Sequence, residues 1–471
     1  MKDVPLSPAG NLPNGWCWTK LGDYVENHDG RRVPISRKDR ESRSGQFPYY
    51  GASGVIDTID GYTHDGEFAL IGEDGANLLT RSKPIAFLTK GKVWVNNHAH
   101  VLKCRPGYSN AFLAYYINSI DLSPYVTGTA QPKLSQAMMN KILIPVAPPH
   151  KQEEIVAQLD KQFSRLDEAV ANLKRVKANL KRYKAAVLKA AVEGRFVPTD
   201  AELAHRDCRS YETGAQLLKR VLETRRSQWK GRGKYKEPNA PDTTDLPELP
   251  QGWAWGCCDQ ILASIEAGAS FKCVERPPEH GETGVLKVSA VSWGTFDECE
   301  SKTCVDTERI EEDYLVQVGD FLFSRANTID LVGACVIVGA VTKRVMLSDK
   351  TLRFLLIGPF TQSWLLICLR SKLGRQEIER LATGNQDSMR NIGQDRIMQI
   401  RVPIPPLVEQ ERIVAEVERC LSLARAAETE VDANLKHAQA LRQSVMQRAF
   451  KPNDETCVNN FTGGDRSASG E

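Results

Sequence analysis

The sequence lacks the features that mark membrane-spanning, secreted and zinc-binding proteins. No apolar run reaches the ~18 residues of a membrane helix, and the first residues contain no apolar stretch typical of a signal peptide. The 12 cysteines form no C-x-x-C pair and no Cys/His array with the spacing of zinc ligands. We therefore expect a cytoplasmic protein with reduced thiols and no membrane segment.

Sequence motifs of common catalytic sites are absent as well. The chain has no phosphate-binding glycine loop ending in G-K-S/T, no G-x-G-x-x-G, no G-x-S-x-G and no H-E-x-x-H. The Asn-Pro-Pro-aromatic tetrapeptide of amino-methylating enzymes is also missing. We interpret the chain as non-catalytic, with no catalytic residue, no metal ligand and no cofactor-binding residue of its own.

The charge balance is nearly even, but basic residues are concentrated locally. The 62 lysines and arginines against 59 acidic residues give a net charge of +3, too small to indicate a nucleic-acid binder by itself. Residues 174–189 hold seven basic and no acidic residues, and residues 225–236 hold six more. Such a charged face is often simply solvated, but an acid-free face also suits phosphate groups.

The strongest positive signal is an internal duplication. The segment L-P-N-G-W-C-W at 12–18 returns as L-P-Q-G-W-A-W at 249–255. The segment P-V-A-P-P-H-K-Q-E-E-I-V at 145–156 returns as P-I-P-P-L-V-E-Q-E-R-I-V at 403–414. The stretch between the two motifs differs in length, whereas the segment after them keeps its register. The chain therefore combines a common frame with two divergent modules.

A long helix with an apolar stripe is predicted after each second motif. Its apolar positions step by three and four residues, as in the a/d seam of a coiled coil. Because an apolar stripe needs a partner in water, we expect the two helices to pair with each other. We favour antiparallel over parallel pairing. The chain runs in the order module, helix, module, helix, and antiparallel pairing makes this arrangement pseudo-twofold symmetric. The predicted pairing residues are Val156, Leu159, Phe163, Leu166, Val170, Leu173, Leu180, Val187, Val414, Val417, Leu421, Val431, Leu435 and Val445.

The segments before the helices alternate short β-rich runs with Gly, Asn and Asp turns. This pattern predicts globular modules of the α/β or α+β class. The predicted fold is thus two such modules joined by long helices, which form an antiparallel two-helix coiled coil in a pseudo-twofold internal repeat. The predicted domains are a first module (1–147), a central long helix (148–195), a linker with a short helix (196–248), a second module (249–405), a C-terminal long helix (406–450) and a disordered tail (451–471).

Candidate binding residues of the first module lie in polar loops. His98 and His100 stand two apart, which suits two metal ligands, a structural role or contact with a polar ligand. Asn96 and Asn97 beside them suit either adenine edges or tight turns. The candidates are Tyr50, Ser53, Asn77, Asn96, Asn97, His98, His100, Gln131 and Lys133.

Candidate binding residues of the second module follow an apolar strand. Arg325 and Asn327 come directly after F-L-F-S, and arginine suits guanine as asparagine suits adenine, although a solvated loop is the alternative. Residues 128–133 and 383–386 occupy equivalent places shortly before each long helix, which suggests matched DNA-facing loops. The candidates are Arg325, Asn327, Thr328, Lys350, Asn385, Gln386 and Arg390.

In this layout the chain resembles the specificity subunit of type I restriction-modification systems. The resemblance covers nearly the whole chain. It rests on the paired L-P-x-G-W-x-W segments, the two Pro-rich starts of the helices, and the segments G-E-D-G-A-N, G-D-F-L-F-S-R-A-N-T and A-T-G-N-Q. The motifs are short, but their order and duplication make the resemblance specific.

The resemblance implies a function in DNA methylation and phage defence. Each module would be a target recognition domain that reads one half of an asymmetric bipartite target in double-stranded DNA. Two modification (methyltransferase) subunits would bind the helices and bring S-adenosylmethionine, and restriction (translocase/endonuclease) subunits would bring ATP and Mg²⁺. From the residues alone an alternative stays open, namely a coiled-coil scaffold or DNA-binding regulator whose modules bind protein surfaces.

Overall fold

The computed structural model describes residues 12–128, 130–229, 234–291, 294–358, 360–386 and 389–450. The predicted disordered tail, 451–471, lies outside these residues. The chain divides into two compact units. The first unit combines Met1–Arg175 with Val431–Glu471, and the second unit is Val176–Glu430.

The N-terminal part of the first unit is an α+β module of short elements. Its strands are β1 (Cys17–Lys20), β2 (Val25–Asn27), β3 (Phe47–Gly51), β4 (Gly54–Ile59), β5 (His64–Asp65), β6 (Phe68–Gly72), β7 (Ala86–Thr89), β8 (Lys92–Val95), β9 (Ala99–Cys104) and β10 (Leu143–Val146). Its helices are α1 (Leu21–Tyr24), α2 (Arg37–Glu41), α3 (Asn77–Thr80), α4 (Asn110–Ser119), α5 (Gln136–Met139) and the long α6 (Pro149–Val192).

Two four-stranded sheets make up this module. One has the antiparallel order β2-β9-β6-β7, and the other has the order β4-β3-β8-β5 with β3 and β8 parallel. Side chains alternate across β6: Ala69 and Ile71 join the core formed with α4, whereas Phe68 and Leu70 face Val95 of the second sheet. Burial on both faces explains why β6 is a continuous apolar run.

The second unit repeats this arrangement with different lengths. Its strands are β11 (Ala254–Cys257), β12 (Leu262–Ala267), β13 (Cys273–Val274), β14 (Gly284–Leu286), β15 (Ser301–Cys304), β16 (Phe321–Ser324), β17 (Ala326–Asn327), β18 (Cys335–Ile337), β19 (Val345–Met346), β20 (Thr351–Leu356), β21 (Thr383–Gln386), β22 (Met389–Asn391) and β23 (Arg401–Ile404). Its helices are α7 (Asp200–Arg206), α8 (Gly214–Ser227), α9 (Cys258–Ile261), α10 (Gln362–Arg370), α11 (Lys372–Leu381), α12 (Gln394–Ile397) and the long α13 (Leu407–Ala449), whose last part belongs to the first unit.

The sheets of the second unit follow the same plan. The orders are β12-β20-β16-β18, β13-β15-β14-β19 and β17-β22-β21. Strand β16 is again buried on both faces: Phe321 and Phe323 pack in the large core with Trp364 of α10, whereas Leu322 packs with Val336. The fold class predicted from the sequence is confirmed, since both units carry mixed helix and sheet modules attached to long helices.

The duplicated motifs pair with each other inside each unit. Strand β1, from the first L-P-x-G-W-x-W segment, pairs antiparallel with β10, so that Trp18 lies opposite Pro145. Strand β11 pairs with β23 in the same way, and Trp255 lies opposite Pro403. Each repeated pair of motifs therefore closes a module directly at the start of a long helix.

The long helices pair in antiparallel fashion within each unit. In the first unit Arg442 forms an ion pair with Asp167 and stacks over the Phe163 ring, 4.5 Å from its centroid. In the second unit the Lys184 ammonium lies 2.7 Å from Glu428. In the same unit Val187, near the end of α6, shares a core with Val417 and Cys420, near the start of α13. The two helices therefore run in opposite directions.

Every predicted stripe residue of α6 and α13 is buried or half-buried. Lys184, which interrupts the stripe of α6, is half-buried and has its charge balanced by Glu428. Among the helices of the described ranges, none is long and apolar enough to cross a membrane.

Candidate nucleic-acid interface

A buried glutamine joins each module to its long helix. Gln152, the Q of the first helix motif, accepts hydrogen bonds from the Tyr24 hydroxyl (3.1 Å) and the Ser109 backbone N–H (3.0 Å), and it donates one to the Ala147 carbonyl (2.8 Å). Gln410 occupies the same place in the second unit. It accepts from the Thr361 hydroxyl (3.1 Å) and donates to the Pro405 carbonyl (3.0 Å). This shared contact orients both modules alike on their helices.

Four loops of the first unit meet at one edge of the β2-β9-β6-β7 sheet. We name this assembly loop cluster 1; it contains residues 29–32, 72–77, 96–100, 127–128 and 130–134. Backbone hydrogen bonds link Glu73 N–H to the His98 carbonyl (2.9 Å), Gly75 N–H to the Pro132 carbonyl (3.0 Å) and Leu134 N–H to the Glu73 carbonyl (2.7 Å). Three of the loops predicted to bind a ligand thus lie side by side.

Charged side chains connect these loops further. The Arg32 guanidinium and the Lys133 ammonium lie 2.6 and 3.1 Å from the carboxylate of Glu73. Burial alone would raise the pKa of Glu73, but these two cations and His100 lower it below its ordinary value. The ring of His98 contacts Asp74 at 2.8 Å and is half exposed. The surface of loop cluster 1 therefore carries both signs of charge.

The two predicted histidines have separate roles. His98 is exposed and pairs with Asp74, whereas the His100 side chain is 1% exposed and contacts Asp29 and the Leu134 carbonyl. Direct contact of His100 with a ligand, one of our predictions, does not fit this burial, and the structural interpretation does. In the described part of the chain, no three His, Cys, Asp or Glu residues lie close enough to hold a metal ion.

The other candidates of the first module fall into two groups. Asn97 and Gln131 are exposed in loop cluster 1. The remaining four shape the backbone or lie beside the cluster. Asn96 is buried and caps the His98 N–H (2.8 Å), Asn77 accepts from Lys83 N–H (2.9 Å), and Tyr50 stacks on Phe87 with centroids 5.7 Å apart. Ser53 is half-buried in the turn between β3 and β4.

The second unit has a corresponding assembly, loop cluster 2, made of residues 324–328, 348–351, 383–386 and 389–392. Here β17 pairs with β22, so that Asn327 lies opposite Arg390. The Arg325 N–H donates to the Lys350 carbonyl (3.0 Å), and the Ile392 N–H donates to the Arg325 carbonyl (2.9 Å). The structure thus brings together Arg325, Asn327, Lys350 and Arg390, which are far apart in the sequence.

The candidate side chains of loop cluster 2 are basic or neutral, whereas Asp349, next to Lys350, is acidic and exposed. Arg325, Asn327 and Arg390 are half-buried, and Thr328, Lys350 and Gln386 are exposed. The Nε of Arg325 lies 3.4 Å from the Asn391 side-chain oxygen. The side chain of Asn385, another candidate, lies outside the described part of the structure.

Both clusters use a glycine at the same point of the last loop. Gly128 has φ +85° and Gly384 has φ +124°. A Cβ at Gly128 would lie 2.4 Å from the Gln131 carbonyl oxygen, and one at Gly384 would lie 2.6 Å from the Met389 carbonyl oxygen. Both the positive φ and the close approach require glycine, which explains why T-G occurs in both loops.

Hydrogen-bond patterns define which positions of the two clusters correspond. In the first unit the backbone N–H of Glu73 donates to the His98 carbonyl, and the Leu134 N–H donates to the Glu73 carbonyl. In the second unit the Arg325 N–H donates to the Lys350 carbonyl in the same way, and the Ile392 N–H donates to the Arg325 carbonyl. Glu73 therefore corresponds to Arg325, and His98 corresponds to Lys350. Residues Lys133 and Asn391, which precede Leu134 and Ile392, correspond in turn.

Sequence reasoning missed several members of the clusters: Asp29, Arg32, Glu73, Asp74 and Asn391. Arg32 follows Arg31 but lies outside the two basic runs, and Asp29 has no motif around it. Glu73 and Asp74 lie in the G-E-D-G-A-N loop, where only Asn77 was selected. Their importance depends on pairing between loops, which no local pattern reveals.

The predicted basic runs are partly neutralised. Lys184 pairs with Glu428, Lys189 lies 3.9 Å from Glu193, and Arg225 lies 3.3 Å from Asp259. Residues 230–233 of the second run lie outside the described residues. Lys174, Arg175, Lys181 and Arg182 are exposed on α6.

Comparisons with known proteins agree with this geometry. Residues 13–182 match the type I restriction modification DNA specificity domain. The chain is 31% identical over 238 residues to the EcoEI type I restriction enzyme specificity subunit of Escherichia coli, covering 49% of this chain and 39% of that one. It is 38% identical over 143 residues to a protein named as a type I restriction enzyme specificity subunit in Haemophilus influenzae, covering 30% and 36%.

Over these stretches the chain is similar to type I restriction-modification specificity subunits. The aligned stretches span less than half the length of either specificity subunit named above. A solved structure from work on assembly and conformational transition of the type I R-M system has a TM-score of 0.59 at 16% identity, over 94% of this chain and 99% of that one. At this identity the likeness shows a shared fold.

Proposed function

We propose that this chain is a specificity subunit that reads an asymmetric, two-part sequence in double-stranded DNA, one part with each loop cluster. The observation that carries the proposal is the equivalence of the clusters. Their backbones make the same hydrogen bonds, while corresponding side chains differ in size and charge. Two loop clusters that share a backbone arrangement but carry different side chains suit the reading of two different half-sites.

Arg325 and Asn327 are the proposed base-reading residues of the second unit. Arginine makes paired hydrogen bonds with guanine, and asparagine makes them with adenine. Exposed polar residues of loop cluster 1, such as Asn97, His98 and Gln131, take the corresponding role in the first unit. The exposed basic residues of α6 suit phosphate groups, which position a protein on DNA without reading sequence.

The chain contributes recognition, and its partners contribute chemistry. We propose that two modification subunits bind the long helices and supply S-adenosylmethionine for DNA methylation. Restriction subunits, where present, would supply ATP-dependent translocation and Mg²⁺-dependent cleavage. The target recognition domains then correspond to the predicted modules, 1–147 and 249–405, each closed by its pair of motif strands.

Selection from a random duplex pool tests this proposal. The full chain is mixed with its modification subunits, and bound DNA is sequenced. We expect enrichment of one sequence with two different defined parts and an undefined spacer. A scaffold that binds protein surfaces would enrich no sequence, and that result would refute the proposal.

A further inference from the structure

His100 lies at the centre of loop cluster 1 and makes two hydrogen bonds. Its Nδ1 is 2.6 Å from a carboxylate oxygen of Asp29, and its Nε2 is 2.9 Å from the Leu134 carbonyl oxygen. A carbonyl oxygen and an ionised carboxylate only accept hydrogen bonds, so both ring nitrogens must donate. The ring is therefore an imidazolium, which is an uncommon state for a side chain only 1% exposed.

The charged groups around the ring come from each loop packed against it. Asp29 and Arg32 lie in the loop after β2, Glu73 lies in the loop after β6, and Lys133 lies in the loop before α5. Glu73 is 3.8 Å from Nδ1 of His100, and Arg32 lies 3.4 Å from Asp29. Asp29 also accepts a hydrogen bond from the Val101 N–H at 2.7 Å. The imidazolium completes a network that joins three loops.

These surroundings favour the charged ring. Burial disfavours the charge, but the hydrogen bonds to Asp29 and to the Leu134 carbonyl outweigh burial, so the pKa of His100 lies above its ordinary value of 6.5. The folded state thus binds this proton more tightly than the unfolded chain. Its contribution is fully present below pH 6.5 and is lost as the pH rises through the folded-state pKa.

We infer that His100 is a positioning residue whose imidazolium fastens the segment 130–134, and that recognition of one half-site is therefore lost as the pH rises while recognition of the other is not. The inference rests on the proposed function. When the ring loses its second proton, one ring nitrogen carries a lone pair and can no longer donate a hydrogen bond to the acceptor opposite it. The loop that carries Gln131 and Lys133 then loses the link to the Asp29 loop that runs through His100, and is held by its remaining contacts with Glu73 and Gly75.

Loop cluster 2 provides an internal control. His100 lies opposite Ile71 in the β6–β9 pair, and Leu352 lies opposite Phe323 in the corresponding β16–β20 pair. Leu352 is fully buried and has no proton to lose. Only the first unit has a titrating group at this position.

The first experiment measures discrimination by the full chain with its modification subunits between pH 6 and pH 9. Single base changes are placed in each part of the selected target. Since the imidazolium population falls about tenfold per pH unit above its pKa, we expect discrimination in one part to drop about fivefold or more, and to stay within about twofold in the other. His100→Gln should make the profile flat, whereas His437→Gln, in an exposed histidine of α13, should keep the pH step.

The second experiment needs neither DNA nor a variant. Amide hydrogen exchange is followed in the full wild-type chain over the same pH range and corrected for the intrinsic rate. The amides of Lys133 and Leu134 should lose protection as the pH rises, while those of Asn391 and Ile392 should not. Equal behaviour of the two loops would overturn the inference.

The two experiments separate the possible failures. A two-part target whose halves respond equally to pH would leave the proposed function standing and refute the role of His100. Loss of protection confined to 130–134, combined with no DNA recognition at any pH, would refute the proposed function and with it the effect on recognition.

Discussion

Loop cluster 1 and loop cluster 2 share backbone hydrogen bonds but differ in charge at corresponding positions. Glu73 of the first corresponds to Arg325 of the second, and His98 corresponds to Lys350. Main-chain hydrogen bonds and a glycine in the last loop fix the position of the loops in both clusters, whereas the side chains determine the charge of each cluster. The comparison teaches that the charge at a loop position can change while the backbone hydrogen bonds that hold the loop stay the same.

The strand pairs that close the two modules, β1–β10 and β11–β23, also differ in charge. Arg401 of β23 is 8% exposed and donates to Glu377, which is 5% exposed, at 2.6 and 2.9 Å. Arg401 lies opposite Cys257, whereas the corresponding pair of the first unit is Lys20 and Leu143. The second unit thus closes with a buried ion pair where the first has an apolar residue.

The largest expected effect comes from breaking that ion pair. Glu377→Ala leaves the buried guanidinium of Arg401 with only Asp245 as an acidic partner, so we expect the free energy of unfolding to fall by about 3–5 kcal/mol. Denaturant unfolding, with hydrogen exchange to locate the change, measures this effect. Glu312→Ala, in an exposed ion pair with Arg344, is the control and should leave stability unchanged. Loss of protection throughout both units would show that the two modules do not close independently.

Substitution of Gln152 and of Gln410 compares the equivalent contacts that join each module to its long helix. Gln152→Ala leaves the buried partners Tyr24, Ser109 and Ala147 without their hydrogen bonds, and we expect a loss of about 2–3 kcal/mol. Gln410→Ala removes only two such bonds and should cost about 1–2 kcal/mol. Parallel urea titrations give the ranking, and the reverse order would contradict the equivalence of the two contacts.

Arg325→Ala tests whether loop cluster 2 reads bases. If Arg325 makes paired hydrogen bonds to guanine, discrimination in one part of the target should fall by about 1–3 kcal/mol while the other part stays unchanged. Competition binding with single-base variants of the target measures this. Arg309→Ala, in an exposed arginine of the same unit that stacks over Phe271, should change neither part. A uniform loss across all sequences would make Arg325 a phosphate contact.

Lys133→Ala should have the smallest effect. The side chain is half exposed and pairs with Glu73, so stability should change by less than about 1 kcal/mol. If the lysine contacts phosphate, affinity should weaken equally for all sequences, and the salt slope of log K should drop by about one. Salt titration of binding gives the slope. A change confined to one base position would instead assign Lys133 to base reading.

Much of the fold was predictable because it depends on periodic patterns. The stripes of α6 and α13 and the doubly buried runs of β6 and β16 carry local signals, and the duplication marks where each module opens and closes. Arg325, Asn327 and Lys350 were selected because they stand at strand ends, and the structure places them together.

The remainder of the candidate site depends on contacts distant in sequence. Asp29 and His100 are 71 residues apart, and the role of His100 follows from its two acceptors rather than from its neighbours. Arg32 and Glu73 are separated by 41 residues. A buried ionic network of this kind has no period and no motif, so sequence reasoning treated His100 as one of several polar candidates.

The most direct test of two independent readers is sequence selection with the wild-type chain and with Arg325→Ala, each assembled with the modification subunits. We predict one asymmetric two-part sequence for the wild type, and for the variant the same sequence with relaxed preference in one part only. A single continuous motif, or equal relaxation of both parts, would contradict the account.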